Sequence, residues 1–479
     1  MSSNINNLDI SAGFLDEEIL IPIYQKYLET YYRCQNKESP YLNLMGIIFH
    51  EAMYYTSSAV YKKFWYEDNN EKIHYPFLGY RPNKFSSIDM CRNKSFKREL
   101  SSALSNFSNR RNFTVGILNP SAINLSKLII LLLKNRIKFS FPIYSYLFLS
   151  DFERQLNLIE KTIKDIWLEY NLHNSYHLLI NGIETFYSKI KKNKNLIDSY
   201  DCLVLGSPVK IPVRVQSAYA LSKNIPTICV DHGNETGTAA LPSWGYDELS
   251  FCTHFMGYGK KGESAIKNEN YLKPLHKKDV KYIKSNCSII KENFSKKPIN
   301  PLGDNFIQNR GAYLPDKLMG PNRLGPFLSI SDKNYIRWQR KLFKAVPSLY
   351  YKKHPKQTLS TSLENVKTID TSLEECFDKF DYFVIDYALS TAFTIIAATE
   401  KPIIYFNIGW GNFTDLSKES IRDRVIWIDI DINDPGSIMK KIHINNKICK
   451  NTHTEQYSIS KSNKTREETL CELIMGFSG

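Results

Sequence analysis

From residue 113 onward, apolar runs of four to six residues alternate with longer amphipathic stretches, and this alternation predicts strands followed by helices. Phe113–Leu118 reads as a strand, Ser121–Lys134 as a helix opened by the Asn119-Pro120 start signal, and Ile137–Phe141 as a second strand, together one βαβ unit. Asp151–Tyr170 and Ser175–Lys192 have the spacing of long amphipathic helices. Strand, helix, strand resumes at Cys202–Leu205, Ile211–Lys223 and Thr227–Val230, with a further strand at Phe251–Met256. Such a series predicts an α/β fold whose parallel sheet is covered on both faces.

The pattern breaks between 258 and 325, where Lys, Pro and Gly dominate, and then starts again. Strands are expected at Phe327–Ile330, Ser348–Lys352, Val366–Ile369, Tyr382–Ile385, Pro402–Phe406 and Val425–Ile428. Helices are expected at Lys333–Lys344, Ser372–Lys379 and Leu389–Thr399. The domain reading is a helical extension over 1–110, a Rossmann-like domain over 111–290, a linker over 291–325, a second Rossmann-like domain over 326–455, and a tail helix within 456–479. A ligand is expected in the cleft between the halves, near the carboxyl ends of the strands.

Composition narrows the function classes. The 479 residues suffice for two or three cores, and 42% hydrophobic with 23% charged residues is ordinary for a globular chain. Lys and Arg number 63 against 49 acidic residues, a formal charge of +14, which suits a polyanionic substrate, an anionic membrane surface or nucleic acid. The N-terminus lacks a signal peptide's basic start and apolar run, and the longest apolar stretch, Leu128–Leu133, is too short to cross a bilayer. A cytoplasmic protein is expected. The nine cysteines contain no CxxC pair, so core thiols are expected in place of disulfides or zinc. The many Tyr and Phe residues form no stripe interleaved with Arg, which argues against a nucleic-acid surface.

Three clusters follow expected strands. Tyr350-Tyr351-Lys352-Lys353-His354-Pro355 breaks from a β run into a basic step. His354 can donate to a phosphoryl oxygen, Pro355 restrains the backbone, and Lys353 adds charge. The plain alternative is a solvated turn. Asp231-His232-Gly233-Asn234-Glu235 places two carboxylates and an imidazole beside a Gly, material for a base or nucleophile; the alternative is a polar turn. At Asp386-Tyr387-Ala388-Leu389-Ser390-Thr391 a carboxylate ends a strand and hydroxyls open a helix, either as an anion site or as a simple helix cap. Gly257–Gly262 fits GxGxxG by letters, yet no apolar helix follows it, so it is not read as a dinucleotide fingerprint. No acidic pair sits in a metal-binding context, so neither a metal nor another cofactor is expected.

In order, the His232-Gly233 turn, the Lys353-His354-Pro355 step and the stretch from Phe383 through Thr391 to Lys401-Pro402-Ile403-Ile404-Tyr405-Phe406 resemble the GT-B transferases of bacterial surface polymers. That group includes transferases using CMP-Kdo and the CDP-glycerol glycerophosphotransferases. The resemblance spans about 200–260 and 326–430. It implies a cytoplasmic, metal-independent glycosyltransferase moving Kdo or a related acidic sugar from a CMP donor to a lipid-linked or growing capsule, O-antigen or lipopolysaccharide chain, in peripheral contact with the inner membrane.

On this reading Lys353, His354, Pro355, Asp386, Ser390 and Thr391 bind the donor nucleotide. Asp231, His232 and Glu235 face the reacting carbon and the acceptor. Ala388-Leu389 stands where the glycerophosphate enzymes have two serines. The competing readings are a CDP-glycerol or CDP-ribitol polyol-phosphate transferase and a non-catalytic scaffold that binds nucleic acid or membrane.

Overall fold

The structure is a computed structural model describing residues 19–35, 39–65, 113–119, 123–141, 151–172, 176–192, 200–206, 208, 211–231, 233, 236–239, 248–259, 279–286, 298–316, 332–354, 363, 366–373, 375–409, 413–432, 434–451, 453 and 464–478. The expected strand at Phe327–Ile330 lies outside these residues.

Helices α1 (Ile21–Arg33) and α2 (Leu44–Trp65) precede the first sheet. Its strands are β1 (Thr114–Leu118), β2 (Lys138–Ser140), β3 (Cys202–Leu205), β4 (Thr227–Val230), β5 (His254–Tyr258) and β6 (Lys281–Ser285). All pair in parallel, in the order β2-β1-β3-β4-β5-β6, so the direction of strand succession reverses between β1 and β3. Helix α3 (Leu125–Lys134) lies on the face lined by Val115, Ile117, Val204 and Val230. Helix α6 (Ile211–Ser222) covers the opposite face, with Leu203, Leu205 and Cys229. Side chains that alternate between two apolar layers explain why these strands read as unbroken apolar runs.

The N-terminal helices are not a detached extension. With α4 (Phe152–Glu169) and α5 (Tyr176–Lys192) they build one apolar layer that closes on Ile211, Val215 and Ala218 of α6. A buried ion pair crosses that layer. Arg214 on α6 donates to the Glu51 carboxylate of α2, to the Ile47 carbonyl and, at 2.9 Å, to the Pro208 carbonyl. Paired and hydrogen-bonded in this way, the two charges avoid the large penalty of lone burial.

The second sheet holds β7 (Gly311–Leu314), β8 (Tyr350–Tyr351), β9 (Lys367–Thr368), β10 (Tyr382–Ile385), β11 (Ile403–Asn407) and β12 (Ile426–Asp429). It too is wholly parallel, ordered β12-β11-β10-β7-β8-β9. Counted from its own first strand this is the 3-2-1-4-5-6 succession of a Rossmann sheet. Helices α7 (Asp332–Ala345) and α10 (Ile438–Asn445) cover one face; α8 (Thr391–Ala397) and α9 (Asp415–Arg424) cover the other. The described architecture is therefore α/β with two Rossmann-like sheets.

Several expected boundaries change. The central strand β7 falls inside the stretch read as a linker, because Gly311 and Pro315 make it look like loop. Gly311 is required by packing: a Cβ there would stand 2.2 Å from the ring of Tyr382 on the neighbouring strand. The helix expected over Ser372–Lys379 is only a short 3-10 turn at Phe377–Lys379. Helix α3 starts four residues later than expected, at Leu125, where the Asn124 side chain accepts from the Lys127 amide; Asn119 instead takes a left-handed φ of 43° just after β1.

Helix α11 (Arg466–Ser478) follows the second sheet yet packs on the first. Its Leu470, Cys471 and Ile474 join the α3 layer. The seven described cysteines are all buried free thiols. Among the described residues no helix is long and apolar enough to cross a membrane.

Candidate functional site

In an open parallel sheet the carboxyl ends of the strands on either side of the order reversal leave a crevice. In the second sheet that reversal lies between β7 and β10, with β8 on the other side of β7. Tyr313 is level with Tyr351 on one side and Val384 on the other. Continuing that register puts Lys353 and Asp386 level with Pro315, and His354 and Tyr387 level with Asp316. The ladder does continue, since the Lys352 amide donates to the Tyr313 carbonyl at 3.0 Å. The basic step and the Asp386–Thr391 stretch thus leave the same edge two strand spacings apart, roughly 10 Å. Lys353 is exposed and His354 half-buried; Pro355 lies outside the described residues.

Asp386 does not face that crevice. It is completely buried on the α7 side, where its carboxylate accepts from the Tyr313 hydroxyl, from the Tyr335 hydroxyl at 2.9 Å and from the Trp338 indole N–H at 3.1 Å. The Tyr335 oxygen also accepts from the Asp316 amide at 3.0 Å, so the cluster fixes the turn that leaves β7. Burial lifts the Asp386 carboxyl to about 7, against the pull of its three donors. An acid ringed by three donors from β7 and α7 fastens a helix to a sheet, a structural place for the residue expected to contact a ligand. Its partners stand 48 to 73 residues upstream, beyond any local pattern.

Ser390 is the N-cap of α8, its Oγ accepting from the Phe393 amide at 3.1 Å. One oxygen lone pair is spent on the helix, which is the simpler of the two expectations for this residue. Thr391 is exposed at the first helical position, while Ala388 and Leu389 are buried. The far end of α8 is closed by Arg424 of α9, fully buried, which donates to the carbonyls of Ala397, Thr399 and Lys401 at 2.9–3.0 Å.

In the first sheet, Asp231 follows β4 and is buried. Its Oδ1 accepts from the Gly233 amide at 3.0 Å, so the carboxylate shapes the turn it was expected to serve as a base. His232, Asn234 and Glu235 lie outside the described residues. Two later parts of the chain hold this segment. Arg466 of α11 donates to the Asp231 carbonyl and to the Tyr258 hydroxyl, each at 2.8 Å, with its guanidinium 4.3 Å from the Tyr258 ring centre. On the other side, Ala239 pairs with Phe413 in an antiparallel bridge. The Thr414 amide and the Ser417 hydroxyl both donate to the Thr238 carbonyl, at 3.0 and 2.7 Å. The loops leaving β4 and β11, both from carboxyl ends, therefore meet. Nothing in the local sequence signals Arg466, Thr414 or Ser417.

In the first sheet the segment after β1 meets a later part of the chain. Glu467 accepts from the Asn124 amide at 2.9 Å, at the start of α3, and is almost fully buried. A carboxylate already sits where helix geometry favours an anion.

The chain matches no protein-family model and no curated protein sequence.

Proposed function

We propose that the chain is a GT-B glycosyltransferase that moves Kdo or a related acidic sugar from a CMP donor to a bacterial surface glycan. The observation that carries this reading is the shared edge of the second sheet: the Lys353-His354 step and the Ser390-Thr391 helix start flank the order reversal of a 3-2-1-4-5-6 sheet. The first sheet, with Glu467 at its corresponding place, leaves an anionic donor little reason to bind there.

A nucleotide sugar brings its own leaving group. The protein must offset charge growing on the departing phosphate and hold an acceptor hydroxyl in line. His354 donates to the phosphate, Lys353 supplies charge, and Thr391 offers a hydroxyl at the crevice. The acceptor side falls to the turn after β4, with His232 orienting Asp231 or Glu235. The burial of Asp231 moves the proton-accepting role toward Glu235, and leaves Asp231 to hold the turn. The tie between Thr238 and Ser417 brings that turn's loop to the second domain. Buried Ala388 and Leu389 provide no hydroxyls, which disfavours a polyol-phosphate donor.

The test is thermal stabilisation by CMP, CDP, UDP and GDP, repeated with His354→Ala. CMP is expected to stabilise most and the variant to lose the shift. Preference for UDP or GDP, or no shift with any nucleotide, overturns the CMP assignment.

A further inference from the structure

The first strand of a dinucleotide-binding Rossmann sheet delivers the phosphates: its exit turn is rich in glycine, and backbone amides there approach the pyrophosphate closely. In the second sheet that strand is β7, and its exit turn has the opposite chemistry. It begins Pro315-Asp316 and holds no glycine before Gly320. Pro315 has no N–H to offer. The Asp316 amide already donates to the Tyr335 hydroxyl oxygen at 3.0 Å.

The Asp316 side chain adds a negative charge to this turn. The residue is only 6% exposed, and among the described residues no hydrogen bond or ion pair ends on its carboxylate. Its charge is felt nearby: burial is the main cause of the raised Asp386 carboxyl, and Asp316 adds to the rise. In register Asp316 lies level with His354 on one side and Tyr387 on the other, about 5 Å per strand spacing. A pyrophosphate reaching from the Lys353-His354 step toward Ser390 crosses this carboxylate. A single phosphate held on the basic step does not.

We infer that Asp316 is a specificity-determining residue that fixes the phosphate count of the donor: a nucleoside linked through one phosphate is admitted, and one linked through two is rejected. The selection works by repulsion, a charge placed against the wrong ligand. One further negative charge within about 7 Å of a carboxylate lowers affinity on the order of tenfold at the effective dielectric of a protein crevice. The inference rests on the proposed nucleotide-sugar reading of this edge and names the residue behind its choice of CMP over CDP.

The experiment is calorimetric titration of the full chain with CMP and with CDP, for the native protein, Asp316→Asn and Asp316→Ser. The native protein is expected to bind CMP at least about tenfold more tightly than CDP. Asp316→Asn is expected to cut that ratio about tenfold, chiefly by a gain in CDP affinity. Asp316→Ser, which lacks the charge and differs in shape, should cut it equally; a residue that only supports the turn would weaken both nucleotides together and leave the ratio alone. A CMP preference that survives both substitutions overturns this inference and leaves the transferase reading standing. Tighter binding of CDP than CMP by the native protein also overturns it. Binding of neither nucleotide overturns the reading of the edge, and this inference with it.

Discussion

Arg466 donates to the carbonyl oxygen of Asp231 at 2.8 Å, across 235 residues of chain. The bond ties the turn after β4 to a helix made after the whole second sheet. Replacing Arg466 by Met removes a buried cation with partners at Asp231 and Tyr258. A loss of about 2–4 kcal/mol is expected in urea denaturation. Lys at this position should recover little, since a single ammonium cannot reproduce the fork that spans both partners.

Asp386 should leave a pH signature. Burial raises its carboxyl from 3.8 to about 7, so an unfolded chain gives up this proton earlier than the folded one. Its contribution to stability is complete below 3.8 and is lost as pH rises toward about 7, by no more than roughly 4 kcal/mol. Denaturation curves of the native chain and of Asp386→Asn, compared across that window, should differ in slope, the variant lacking this component.

Arg424 is expected to matter through hydrogen bonds, not charge pairing. Arg424→Met leaves the carbonyls of Ala397, Thr399 and Lys401 without their donor in a buried place. About 3 kcal/mol should be lost in denaturant melts. Hydrogen exchange should quicken in α8.

Ser417→Ala removes the 2.7 Å bond to Thr238 and a bond within the α9 cap. The expected result is a small fall in Tm, about 1 kcal/mol in stability. Amide exchange should rise selectively at Thr414, whose N–H donates to the same carbonyl. Equal exchange at Thr414 in both proteins would show that Ser417 does not support the contact.

Much of the fold is legible where a segment's fate is local. Tyr382–Ile385 is a strand to the residue, its four apolar side chains buried in a sheet covered on both faces. Helices α1 and α2 fall in the stretch expected to be helical, but their closing on α6 was not legible, because Glu51 meets Arg214 across 163 positions. At the candidate site the strand-end placement of His354 and Ser390 followed from pattern. The role of Asp386 did not: an acid after an apolar run looks the same whether it faces ligand or three buried donors. What decides it is Tyr313, Tyr335 and Trp338, each supplied by elements whose register only the folded sheet reveals.

The docking of α11 on the first sheet has a consequence for biogenesis. Leu470, Cys471 and Ile474 complete an apolar layer begun by Val115 and Leu128. Until residues 466–478 have left the ribosome, that layer lies uncovered, so the half of the chain made first cannot finish folding first. The second sheet must form beside an unfinished neighbour, and synthesis halted before α11 would release a chain with an open apolar flank, prone to association.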